Sequence, residues 1–290
     1  MPNKKCKFNE NYFEKIDRFD NAYFLGLLYS DGSNCSHTTA ERAIVISLQE
    51  EDVEILKCFK EYSDSEYAII YRKPRENTHK GQYRFYVYSG KWGRDLDKLG
   101  CVPNKTLILE FPTEEQVPKE FLSHFIRGYF DGDGCVWNGK RKKMLVKDKN
   151  CKNGSRIRII HNVKCHFTGT IKFLEKLKEF LFTIGLPAVK INTCPKNPLI
   201  GMLEYSGRKN LKKLYDFMYE DCQNLYLKRK KEKFEEIFCA LSEKSLSELG
   251  LIAGTPETVI SSQATNVEGS STIPEMEVES SDSKCPTLSK

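Results

Sequence analysis

Ala22-Tyr-Phe-Leu-Gly-Leu-Leu-Tyr-Ser-Asp-Gly32 and Phe125-Ile-Arg-Gly-Tyr-Phe-Asp-Gly-Asp-Gly134 say nearly the same thing at two places in a 290-residue chain. Each is an apolar run of helical character that ends in an acid and then a glycine. Gly26 and Ser30 stand four apart on one helix face, and Gly128 and Gly132 do the same on the other. Small residues at that spacing let two helix backbones come close. Glycine inside a helix costs about 1 kcal/mol relative to alanine, so a packing reason is expected. The two runs are therefore expected to pack against each other about a pseudo-two-fold axis, with their C-terminal ends on one side.

Asp31 and Asp133 stand at those ends. The helix macrodipole makes a C-terminus negative, so a carboxylate there is mildly unfavourable, and two brought together repel further. A divalent cation relieves both costs. Magnesium suits the site because it takes oxygen ligands, keeps several waters and uses one or two carboxylates plus substrate phosphates. The expected metal site comprises Asp31, Asp133 and the glycines that follow them, Gly32 and Gly134, with manganese able to substitute. One Asp-Gly pair could simply end a helix; two at equivalent positions of a repeat call for more.

A second repeated string supports the duplication: Tyr88-Ser89-Gly90-Lys91 matches Tyr205-Ser206-Gly207-Arg208. Both strings close a strand and open a helix. In half one, a helix from an Asp20 cap to Ser30 is expected to stop at Gly32, followed by a strand at Ala43–Leu48, a helix at 52–62, strands at 67–72 and 82–89, and a short helix to Gly100. Residues 101–119, with three prolines, link the halves. Half two repeats the order, with a helix at 120–130, a long strand at 155–167, a helix at 170–183, a hairpin at 189–205 and a helix near Leu211. The expected units are 1–100, the linker 101–119, 120–241, and a disordered acidic Ser/Thr-rich tail at 242–290.

The net charge of +6 is unevenly spread: three lysines and eight acids leave the tail at −5 and residues 1–241 at +11. Such a body attracts polyanions, nucleic acid first among them. Eleven cysteines form no CxxC pair, so neither a disulfide framework nor a zinc site is expected, and a reducing intracellular compartment fits better. No signal core or membrane-length apolar run is visible, so a soluble protein with no membrane partner is expected.

Over roughly residues 12–240 the chain resembles the LAGLIDADG homing endonucleases in their single-chain, two-motif form. FLGLLYSDG and IRGYFDGDG carry the resemblance, with the YSGK and YSGR strings and the linker segment Gly100-Cys-Val-Pro-Asn-Lys-Thr106. Tyr29 departs from it, standing where the motif has its first acid, which Asp131 retains. The resemblance implies an α+β fold of two αββαββα halves, each with a curved antiparallel sheet, that together straddle double-stranded DNA as a monomer. It also implies hydrolysis of one phosphodiester per strand at a long asymmetric site, with Asp31 and Asp133 holding the metals. By position, Lys91 in half one and Arg208 in half two, with Lys209 as a near alternative, would stabilise charge in the transition state, and Gln49 would order water.

DNA reading falls to alternate strand residues: Gln82, Arg84 and Tyr86 in half one, and Arg156, Arg158, Asn162, Lys164 and His166 in half two, with Lys190 and Asn192 in the same role. The faces of the strand near Glu204 stay unassigned. Lys140, Arg141, Lys142 and Lys143 open a basic loop or hairpin expected to grip phosphate, and a second basic run, Lys228–Lys233, falls on a final helix. The alternatives are an intron RNA maturase, which would add intron RNA as a partner, and a catalytically inactive DNA-binding regulator of the same fold. An intein is not expected, because His161-Asn162 lies mid-chain in a strand-like run and Met1 opens the sequence.

Overall fold

The computed structural model describes residues 6–36, 42–74, 80–144 and 157–248, with side chains for all of these except 36, 140–144, 157–161 and 240–248. Half one runs α1 (Phe19–Ser30), β1 (Gly32–Ser36), β2 (Arg42–Gln49), α2 (Val53–Tyr62), β3 (Ile69–Arg72), β4 (Gln82–Tyr88) and α3 (Gly90–Lys98). Half two repeats it as α4 (Leu122–Asp133), β5 (Gly134–Met144), β6 (Ile157–Thr170), α5 (Ile171–Thr183), β7 (Ile191–Cys194), β8 (Asn197–Ser206) and α6 (Arg208–Tyr219), and adds α7 (Lys228–Glu248). Each half holds one four-stranded antiparallel sheet, in the orders β1-β2-β4-β3 and β5-β6-β8-β7. The αββαββα duplication expected from the sequence is the observed architecture.

One face of each sheet is apolar and lies under helices. In half one Ile44, Ile46, Leu48, Phe85 and Val87 are buried there, with the Phe59 ring of α2 against Phe85. In half two Val163, Cys165, Phe167, Leu203 and Tyr205 play the same part. Strand alternation puts the polar residues on the opposite face.

The motif helices α1 and α4 form the seam between the halves, and the seam is glycine against backbone. A Cβ on Gly26 would lie 2.0 Å from the Phe125 carbonyl oxygen, and one on Gly128 would lie 2.0 Å from that of Tyr23. These reciprocal contacts are the pseudo-two-fold axis expected from the small faces.

Several expectations change in detail. Arg18, not Asp20, holds the N-cap position of α1, its N–H donating to Asn21 Oδ1 (3.2 Å); Asp20 lies in the first turn, buried, accepting from the Tyr12 hydroxyl (2.7 Å) and from Arg18 (2.9 Å). α4 continues past Phe130 to Asp133. Neither Gly32 nor Gly134 has positive φ, so they are not left-handed helix stops. They head β1 and β5, and each lets the chain turn back tightly over the last helical turn. A Cβ on Gly32 would lie 2.6 Å from the Leu28 Cα, and one on Gly134 would lie 2.5 Å from the Phe130 carbonyl oxygen. The strands they head, Gly32–Ser36 and Gly134–Met144, carry no strong alternation in the sequence and were not expected in those places. Lys140–Lys143 accordingly lie on β5, opposite His161–Arg158 of β6, as one arm of a hairpin. α7 runs to Glu248, seven residues into the segment expected to be disordered; the rest of that tail lies outside the described residues.

Candidate active site

Asp31 is the C-cap of α1 and Asp133 the last residue of α4. The glycine seam fixes the helix ends side by side: Asp31 Oδ2 lies 3.2 Å from where a Cβ of Gly132 would be. Both aspartates reach solvent, yet protein crowds their carboxylates. That crowding, and then the Asp31 charge, raises the Asp133 pKa to about 6. Asp31 is likewise raised, first by crowding and further by Asp52, against the pull of Lys230, Arg229 and Lys105.

The donor set suits a hard divalent cation. Two neighbouring carboxylates that hinder each other's ionisation gain from a shared positive charge. Among the described residues no group of three or more His, Cys, Asp and Glu could hold a metal. A cation here would therefore rest on the two aspartates, water and phosphate, which is the magnesium pattern and not the closed zinc one. The Gly32 carbonyl already accepts from Lys105, so the aspartates are the stronger part of the expected site.

Two lysines that the sequence reading did not single out complete it. Lys230, 5% exposed, donates to the carbonyls of Phe130 (2.7 Å), Asp131 and Gly132 (3.0 Å). Lys105, 8% exposed, donates to the Gly32 carbonyl (2.5 Å). Carbonyls in the last helical turn carry the negative end of the dipole and mostly lack intrahelical donors, although Phe130's also accepts from the Gly134 N–H; a buried ammonium at the end of each motif helix offsets that charge. Burial lowers the Lys230 pKa to about 8 despite Asp131 nearby. The signal for Lys230 was available: Leu227, Lys230, Phe234 and Ile237 follow helical spacing and all are buried, so this lysine belongs to the apolar stripe and not to its basic neighbours. For Lys105 the sequence offers only its place in the Pro-Asn-Lys-Thr segment.

The residues proposed by position stand on other elements of the two halves. Lys91 pairs with Glu14 (2.9 Å) and Asp95 (2.8 Å) on α3, and those carboxylates raise its pKa. Arg208 opens α6 after Gly207. The cations acting on Asp31 and Asp133 are Lys230, Arg229 and Lys105 instead. Gln49 ends β2 opposite Gln82, exposed, and just before Asp52, whose carboxylate holds Arg229 at 3.0 Å.

The polar sheet faces open beside the acids. In half one, Asp31, Ser33, Cys35, Val45, Ser47, Arg84, Tyr86 and Tyr88 line one groove, and Gln82 continues it. In half two, Asn162, Lys164 and His166 alternate with buried Val163, Cys165 and Phe167. Glu204, unassigned from sequence, shares that polar face: it lies opposite His166 and pairs with Lys164 at 2.8 Å. Asn192 is exposed on β7 opposite Met202, with Lys190 just before the strand. Arg156 lies outside the described residues, as does the Arg158 side chain.

No family model matches the sequence. Over 132 residues, 46% of its length, the chain is 30% identical to the DNA-directed RNA polymerase subunit Rpo1C of Methanocaldococcus jannaschii, spanning 14% of that curated relative. The I-LtrWI LAGLIDADG homing endonuclease bound to target DNA is 14% identical, with a TM-score of 0.48 over 80% of this chain and 94% of that one. The I-SmaMI LAGLIDADG homing endonuclease bound to cleaved DNA is 10% identical, with a TM-score of 0.49 over 81% of this chain and 92% of that one. The described helices include none long and apolar enough to cross a membrane.

Proposed function

We propose that the protein is a divalent-metal-dependent endonuclease that hydrolyses both strands of a long asymmetric DNA duplex. The observation that carries this reading is the meeting of Asp31 and Asp133 at two apposed helix ends, between two polar sheet faces of a basic body. Asp31 and Asp133 would hold magnesium or manganese. The bound cation supplies Lewis-acid activation of water and stabilisation of the leaving oxygen. Water oxygen bonds to phosphorus as the bond to the leaving sugar oxygen breaks, and no covalent enzyme intermediate is needed.

The protein's own groups set the field around that reaction. Lys230 and Lys105 hold the carbonyls of the helix ends and offset the dipoles that would otherwise oppose an approaching phosphate. Their charge also favours the developing phosphorane, so these two residues replace Lys91 and Arg208 as the proposed electrostatic stabilisers. The sheet faces hold the duplex by phosphate contact and read it by base contact. Retention of both acids sets cleavage above the binding-only roles, regulator or maturase.

The test is incubation of the purified protein with duplex DNA carrying its own insertion site, with and without magnesium. Two-strand cleavage that chelator abolishes supports the reading. An intact duplex at a verified site across a range of salt overturns it.

A further inference from the structure

The two polar sheet faces can be compared position by position. Gly32 and Gly134 head the first strands and lie opposite Ile46 and Phe167, which lie opposite Phe85 and Leu203. This register makes Val45 equivalent to His166, and Ala43 equivalent to Lys164. The neighbours follow: Ser33 matches Cys135, Tyr86 matches Glu204, Cys35 matches Trp137, and Tyr88 matches Ser206.

The chemistry at matched positions differs in kind. In half one β2 offers half-buried Val45, with Ser47 two residues on and Ala43 only 4% exposed, flanked by Ser33 and Cys35 on one side and two tyrosines on the other. Tyr86 and Tyr88 stack with their rings 6.4 Å apart, and Tyr88 is 55% exposed. Arg84, whose guanidinium donates to the Tyr86 hydroxyl at 3.3 Å, is the single cation among the residues lining this groove. In half two the central strand offers an ammonium and an imidazole. Lys164 is held by Glu204 and faces the Trp137 ring, while His166 Nδ1 is buried with no hydrogen-bond partner.

In the major groove, the C5 methyl of thymine is the apolar feature of a base edge, and small apolar side chains are what meet it. Guanine and cytosine edges offer polar groups to the kind of side chains half two presents. On the reading that DNA lies across both faces, we propose that half one selects its half-site through thymine methyl groups packed on Val45, whereas half two selects through hydrogen bonds from Lys164 and His166. Specificity along the target is then split by chemistry as well as by sequence.

The test is selection of a bound duplex from a randomised pool with magnesium withheld, followed by replacement of thymine by uracil in one half-site at a time. Arg84→Ala, which removes the groove's cation without touching Val45, identifies the half-site of half one by the bases whose preference it relaxes. Uracil there should weaken binding about fourfold for each methyl in contact, and should change binding little in the other half-site. Val45→Ser should remove much of that sensitivity, and Val45→Thr, which keeps the β-branched shape and one methyl, should remove less; the second variant serves if the first does not fold. Equal sensitivity of the two half-sites, or none in that of half one, overturns the proposal while leaving the nuclease reading in place. Failure to recover any preferred duplex overturns the nuclease reading and this proposal with it.

Discussion

Position 29 of α1 and position 131 of α4 are equivalent in the repeat, yet one is tyrosine and the other aspartate. The Tyr29 hydroxyl donates to the Leu99 carbonyl, at a turn where Gly100 has φ +87° and a Cβ would sit 2.3 Å from that hydroxyl. Asp131 accepts from the Leu227 N–H (2.9 Å) and from the buried Tyr23 hydroxyl (2.8 Å). Both bonds pin the segment that brings in the helix-end lysine: Leu99 leads to Lys105, and Leu227 begins the turn that carries Lys230. The duplication has kept an anchor while changing the group that makes it. This is why the loss of an acid at Tyr29 leaves the architecture of half one intact.

The largest expected effect treats the halves as equals. Asp31→Asn and Asp133→Asn should each reduce double-strand cleavage more than about a hundredfold while DNA binding persists in a gel-shift assay. Full activity in either variant removes that acid from the mechanism. Gly26→Ala and Gly128→Ala should also behave alike, because each Cβ meets backbone at 2.0 Å. Overpacking there should cost about 1–3 kcal/mol or more, read as a fall in denaturation midpoint. Gly132→Ala should destabilise as well: the Ser30 hydroxyl can rotate away, but the Ser30 Cβ, 2.4 Å from the added Cβ, cannot.

The lysines should separate the halves. Lys230→Met takes the ammonium from three carbonyls, of which Phe130's keeps the Gly134 N–H, and Lys105→Met from one, so the first should be the more destabilising, by about 1–3 kcal/mol for each buried acceptor left unmade. Equal losses would break the distinction. A smaller effect concerns pH. Asp133 is raised to about 6 when folded, above its ordinary unfolded value near 4, so the stability it contributes is present below about pH 4 and lost as pH rises through 6. Without metal, Asp133→Asn should therefore raise the melting temperature at pH 7 and leave it nearly unchanged at pH 4; magnesium should narrow the gap. The smallest effect is expected from Lys91→Ala. Surface ion pairs are worth about 0–1 kcal/mol, and cleavage should stay close to wild type; a large fall in rate with binding intact would restore Lys91 to the site.

The features legible in the sequence were those written as local pattern. The motif glycines, the terminal acids and the alternation of Phe85 with Arg84 and Tyr86 follow from periodicity, and the structure places them accordingly. β1 and β5 were not legible because Gly-Ser-Asn-Cys-Ser and the basic run after Trp137 become strands through pairing with β2 and β6, not through their own preference. Lys105 and Lys230 were missed because a helix end 73 or about a hundred residues away supplies their reason for burial. Lys91 stood out because of a repeated string whose visible work in half one is local: Ser89 caps α3 by accepting from the Trp92 N–H.

The seam where Gly26 and Gly128 press on opposing carbonyls also bears on inheritance. A contact with no room for a side chain tolerates almost no drift, while the sheet faces beside it are free to change residue by residue. Such a chain can trade one half for a relative's only if the newcomer brings its own glycine to the shared position. A library of recombined halves should then sort cleanly, with every soluble survivor keeping both glycines whatever DNA it has come to read.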